Sequence, residues 1–294
     1  MLKNGGCTYF RIDRNLWYNK SMRTMRRGFT LIEVALFLAV TGALFVGIMV
    51  GTQNSIWQQR YNDAVQNYAG FLRNIYAEVS NPQSIGDGRS GLAIYGKLVT
   101  FGQSVGLDGE TIGDDEQKVF VYDVVGDASG LGTGSVTAML KSLGANVVVE
   151  EKDDGGAVTK VVPAGIVESY SPVWGSAIET TEKTLTGNNF FEGSILITRH
   201  PRSGMISTLV SNNVIEVNEE IDDANYNDNY INIKTLLTSE LSSFRVAEVN
   251  FCINPEGAGE TSTNRRNIRI ISNARNASGV EIVNLDDAES KCAN

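Results

Sequence analysis

Residues Phe29 to Gly51 read FTLIEVALFLAVTGALFVGIMVG, an apolar run in which Glu33 is the one ionisable side chain. At about 1.5 Å of rise per residue, such a run as a helix reaches across the roughly 30 Å hydrocarbon core of a bilayer. It is apolar on every face, whereas a helix resting on a soluble core keeps one face polar. The run therefore predicts a single membrane crossing. Its direction is set by charge. Lys3, Arg11, Arg14, Lys20, Arg23, Arg26 and Arg27 precede it with only Asp13 against them, and the chain beyond Gly28 carries 18 basic and 33 acidic side chains. By the positive-inside rule the N-terminus lies in the cytoplasm and the body is exported. With 294 residues, 42% apolar and 20% charged, the chain is long enough for a sizeable folded body and too polar overall for a multi-span channel. A body of formal charge −15 also disfavours nucleic acid as a partner, because phosphate binding is led by Lys and Arg.

The entry to the run is as informative as the run itself. An ordinary secretory signal ends in small residues at a cleavage site beyond its apolar segment, and no A-x-A pattern comes after Gly51. Instead Arg26-Arg27-Gly28-Phe29-Thr30-Leu31-Ile32-Glu33 sets two cations and a glycine directly before the helix. A carboxylate one turn inside a bilayer helix is costly, so it calls for a partner. Scission after Gly28 would free an α-ammonium on Phe29, four residues before Glu33 and beside the positive end of the helix dipole. A snorkelling Glu33 with no partner is the other reading.

This junction resembles the class III leader of type IV pilins and type II secretion pseudopilins, over the leader and first helix, about a quarter of the chain. The resemblance implies that a prepilin peptidase cuts between Gly28 and Phe29 and that Phe29 is N-methylated. It also implies that Glu33 meets the amine of a neighbouring subunit and sets the axial register of a filament. Met22 and Met25 leave the translation start open, as a leader of either length fits.

Beyond Gly51, Ile56, Tyr61, Val65, Tyr68, Phe71, Leu72, Ile75, Tyr76 and Val79 recur at helical spacings up to Pro82. The pattern predicts one helix from about Phe29 to Ser80, with a membrane half (29–51) and an amphipathic half (52–81). The leader (1–28) lies before it and a β-rich head (82–294) after it. In the head, strand-like runs fall at Leu92–Phe101, Lys118–Val125, Asn146–Glu151, Ala157–Val162, Ser194–Thr198, Ser207–Val210, Arg245–Ile253, Asn267–Ser272 and Val280–Val283. A hairpin is predicted about Pro201–Gly204, short helices at Ser135–Leu143 and around Ile233–Leu241, and loops at Gly126–Gly134 and Asp153–Gly156. The fold class is α+β, and the family implies a lollipop in which the long helix packs on an antiparallel head. Where major pilins commonly carry a helix-loosening Pro, this chain has Val50, which leans toward a minor pilin or a pseudopilin.

Cys252 and Cys292 are the two cysteines beyond the leader, an even count that pairs in an oxidising compartment and stays reduced in a reducing one. Type IV pilins often have such a C-terminal disulfide loop. Catalysis is not expected, since His200 is the one imidazole and the Gly130-x-Gly132-x-Gly134 run lacks the spacing of a nucleotide loop. Asp222, Asp223, Asn225, Asn227 and Asp228 offer hard oxygens, and the major pseudopilins bind calcium in a C-terminal loop. The EF-hand pattern nevertheless fails here, so a hydrated acidic loop is the favoured reading and no cofactor is assigned. Arg265, Arg266, Arg269 and Arg275 are the basic cluster of the head, better suited to acidic neighbours in a filament than to DNA.

The expected function is therefore structural: a minor or unusually large pilin of a type IV pilus or related filament, partnered by other subunits through its first helix. The resemblance implies prepilin peptidase, an assembly platform and an ATPase as further partners, and membrane lipid before assembly. The expected location is the cytoplasmic membrane in a single pass, then a cell-surface or periplasmic filament. The alternatives are a type II secretion pseudopilin and a non-assembling membrane anchor whose head binds a surface, glycan or DNA.

Overall fold

The computed structural model describes residues 29–81, 92–102, 112, 117–127, 134–152, 155–156, 158–165, 167–180, 192–215, 217, 237, 239–255, 265–272, 274–283 and 292. The chain divides into two compact units, Met1–Asn54 and Ser55–Asn294, and one helix, Leu31–Ser80 (α1), contributes to both.

In the first unit the described chain is helix with little over it. Leu36, Phe37, Leu38, Leu44, Phe45 and Ile48 are each more than 60% exposed. Apart from its own helix backbone and chain neighbours, a Cβ at Gly42, Gly47 or Gly51 would meet nothing within 4 Å. The helix has no polar face to turn to water, as the composition of the run demanded.

The second unit buries what the first leaves bare. From Tyr61 onward, α1 places Ala64, Val65, Tyr68, Ala69, Leu72, Ile75, Tyr76 and Val79 at intervals of three and four, and all are buried. Ile56, expected in this stripe, is 49% exposed instead; Tyr61 is the first residue of α1 in the core that the sheets share. One sheet is five-stranded and antiparallel, in the order Glu168–Tyr170 (β5), Val119–Asp127 (β2), Leu92–Phe101 (β1), Gly193–Arg199 (β7), Ile206–Ser211 (β8). The other is four-stranded and antiparallel: Val280–Val283 (β11), Arg266–Ile270 (β10), Val249–Asn254 (β9), Ala177–Thr180 (β6). Both contribute to the core around α1, through Val99, Phe101, Val121 and Ile197 from the first and Phe251, Ile253, Ile268 and Val280 from the second.

The five-stranded sheet is covered on its other face too. Leu98, Phe120, Tyr122 and Leu196 pack there with Met139 and Leu140 of the short helix Val136–Ser142 (α2), capped by Ser135, and with Leu237, Leu241 and Phe244. Burial on both faces explains why β1 and β2 are apolar at most positions instead of alternating, with Lys97 and Asp123 among the exceptions. A hairpin of Val148–Lys152 (β3) and Val158–Pro163 (β4) completes the described strands.

The hairpin at Pro201–Gly204 joins β7 to β8 as expected. Several boundaries differ. Gly126 and Asp127 extend β2 rather than opening a loop, held by the Asp127 N–H on Leu143 O at 2.9 Å. Arg245 does not begin a strand; it forms one bridge to Val210, and Val246 is 51% exposed before β9 starts at Val249. Asn146 likewise only bridges Val125. The run expected at Asn267–Ser272 ends early, since β10 stops at Ile270. Strands β5 and β6 have no counterpart among the expected runs; at three and four residues they are too short to show a period, and both lie at sheet edges.

Candidate functional site

Gly28 lies outside the described residues, and Phe29 beside it is 84% exposed. The structure gives Glu33 a partner that charge considerations alone overlook. Thr30 is the residue before α1, and its Oγ1 accepts the Glu33 backbone N–H at 3.3 Å. In return Glu33 Oε2 accepts the Thr30 N–H at 2.9 Å and its hydroxyl at 3.0 Å. This is a reciprocal capping box, with its sequence signature in plain view as Thr30-Leu31-Ile32-Glu33. It uses only atoms of Thr30 and Glu33, and none of residues 1–28.

Further along, the hydroxyls of Thr41 and Thr52 donate to the carbonyls of Phe37 (2.8 Å) and Met49 (3.0 Å), so these side chains satisfy themselves within the helix. By length and composition α1 is apolar enough to cross a membrane, a property shared by membrane spans and signal sequences.

In the second unit, the C-terminal end of α1 is tied down by charge. Arg199 Nη1 donates to the Ser80 carbonyl at 2.9 Å, and Arg73 Nη2 to Val280 O at 3.0 Å. Lys97 of β1 is nearly buried, with its Nζ 3.0 Å from Glu78 of α1, 3.0 Å from Asp123 of β2 and 3.3 Å from Glu168 of β5. Burial pushes its pKa down, but the hydrogen bonds and charges of Glu78 and Asp123 outweigh that and hold the ammonium well above its ordinary value. A side chain at Gly165 would collide with the Asp123 carboxylate, so only glycine lets the chain pass there. Nearby tyrosines are made poor acids by burial: Tyr76 and Tyr170 are each pushed up to about 12.

Cys252 and Cys292 form a disulfide with Cα atoms 5.5 Å apart, fastening the C-terminal region to β9. The arginine cluster is drawn inward by this chain's own acids. Arg265 pairs with the buried Glu179 at 3.1 Å, which also accepts from Asn254 at 3.0 Å, and Arg269 pairs with Glu281 at 2.5 Å. Two of the four arginines of the cluster are therefore paired with acids of the same chain. His200 serves its turn: Nδ1 accepts the N–H groups of Arg202 and Ser203, each at 3.2 Å. The acidic loop residues Asp222, Asp223, Asn225, Asn227 and Asp228 lie outside the described residues. Among the described residues no group of three or more His, Cys, Asp or Glu is arranged to hold a metal.

One further feature has no signal in the sequence. Trp174 and Gly175 occupy the centre of a turn closed by the Ser176 N–H on Val173 O at 3.2 Å, with φ of 61° and 71°. Positive φ costs a bulky residue about 1–3 kcal/mol, and no local pattern announces it. Compared with protein-family models, with curated proteins and with solved structures, the chain finds no match.

Proposed function

We propose that this protein is a prepilin-type filament subunit: cleaved between Gly28 and Phe29, N-methylated on Phe29, held in the cytoplasmic membrane, then packed helix to helix into a type IV pilus or related filament. The observation that carries this reading is the Gly28–Glu33 junction in the sequence before a helix whose first half leaves its large apolar side chains exposed. Such a surface demands lipid or other helices. The capping box supports it, since Glu33 is held at the first turn where a neighbour's ammonium would find it. The α+β head and its disulfide agree with a pilin-like lollipop of the minor or unusually large kind.

The mass of the mature protein tests the reading. Loss of everything before Phe29 with a gain of about 14 Da for one methyl group is the expected result. A protein that keeps Arg26 and Arg27 refutes it and favours an anchor that does not assemble.

A further inference from the structure

The turn at Trp174 holds an indole where its backbone resists one and then leaves it in the open. Gly175 takes positive φ freely, but a tryptophan at φ 61° is a steric outlier. The strain is not offset by burying the ring, for Trp174 is 60% exposed. The Arg60 guanidinium lies over the ring, 5.1 Å from its centroid. On α1, Trp57 and Ile56 lie three and four residues before Arg60 and therefore on the same helix face. They too are open, at 40% and 49% exposed. Two indoles, one aliphatic side chain and one guanidinium thus form an exposed collar at the start of the second unit.

Its place along the chain says what covers it. Trp57 comes six residues after Gly51, where the apolar run ends. That is about 9 Å of helix, and helical side chains lean back toward the N-terminus, which carries the ring to headgroup level. Tryptophan is the side chain most at home in that layer, with an apolar body and one N–H donor, and a guanidinium beside it matches a lipid phosphate.

We propose that Trp57, Arg60 and Trp174 form a docking surface for phospholipid headgroups, seating the head on the membrane before assembly. This rests on reading Phe29–Gly51 as a membrane anchor.

The test uses the full chain in vesicles of phosphatidylcholine and phosphatidylglycerol, some of the phosphatidylcholine brominated either near its carbonyls or near the bilayer centre. In a Trp17→Phe, Trp57→Phe variant, Trp174 is the sole tryptophan. Shallow bromine is expected to cut its emission by roughly half and deep bromine to cut it far less. A second variant, Phe37→Trp with the three native tryptophans changed to Phe, reports the anchor itself and is expected to be quenched by deep bromine. If Phe37→Trp is quenched and Trp174 is not, the docking surface is refuted while the anchor stands. If Phe37→Trp is not quenched, the anchor reading falls and the docking surface with it. If Trp174 instead shifts to shorter wavelength only as the protein-to-lipid ratio rises, a second copy covers the collar and the proposal is overturned.

Discussion

The two halves of α1 share one backbone ladder and differ in everything outside it. Before Asn54, Phe37, Leu44 and Phe45 stand 61–66% exposed; after Tyr61, Tyr68, Ala69, Leu72 and Tyr76 are at most 1% exposed. The first half is apolar all round, and no described element of its own unit covers it. The second has an apolar stripe, and two sheets of the same unit cover it. A helix can satisfy its backbone alone, but a helix apolar on all sides must borrow its solvent from lipid or from other helices. The boundary between the halves thus separates what this chain folds for itself from what it presents to others.

The sharpest way to break that comparison is to truncate one aromatic in each half. Tyr68→Ala should lower head stability by about 3–5 kcal/mol in urea unfolding, because the ring is fully enclosed among Phe71, Tyr170 and Phe251. Phe37→Ala should leave the same unfolding midpoint unmoved. Equal losses in both variants would mean that the head covers the first half as well.

Reduction of Cys252–Cys292 should come next, at about 3–4 kcal/mol by the loop-entropy account for a separation of 40 residues. The urea midpoint with and without reductant measures it.

Lys97→Met should cost about 2 kcal/mol, less than a fully buried ion pair would because Glu78 and Glu168 are a third exposed. Its pH dependence has a definite sign. Lys97 has a raised folded pKa, so its contribution is complete below about pH 10.5 and fades as the ammonium titrates above that. Tyr76 and Tyr170, raised to about 12, act in the same direction. Wild-type stability should therefore fall above about pH 10, and the gap between wild type and Lys97→Met should narrow over that range. A gap that widens there would refute the assignment.

The smallest structural effect should accompany Glu33→Gln. Glutamine can complete the capping box but carries no charge, so helix content should stay the same, while under the filament-subunit proposal sheared filaments should become scarce. Glu33→Ala loses both cap and charge. Filaments of normal abundance from Glu33→Gln would reduce Glu33 to a helix cap.

Much of this is legible in the sequence. The run Phe29–Gly51, the stripe from Tyr61 to Val79 and strand Leu92–Phe101 stand in the structure with nearly the boundaries their patterns indicate. The Thr30–Glu33 box is equally legible but easily missed, since the charge of Glu33 hides its hydrogen-bonding role. Other features have no local sign. Glu78, Lys97, Asp123 and Glu168 are scattered over ninety positions and meet only because β1, β2, β5 and α1 come together. Arg265 and Arg269 read as a free basic cluster until the strands bring Glu179 and Glu281 to them.

The sequence by itself determined the length and greasiness of the helix, its capped start and the stripe that needs covering, because each depends on neighbours three or four residues apart. Only the tertiary structure decided which charges are spent inside the head, which short strands close its sheets, and that an indole is held open beside Arg60. Those outcomes depend on residues far apart in the chain meeting across sheets and turns, and no local period records such a meeting.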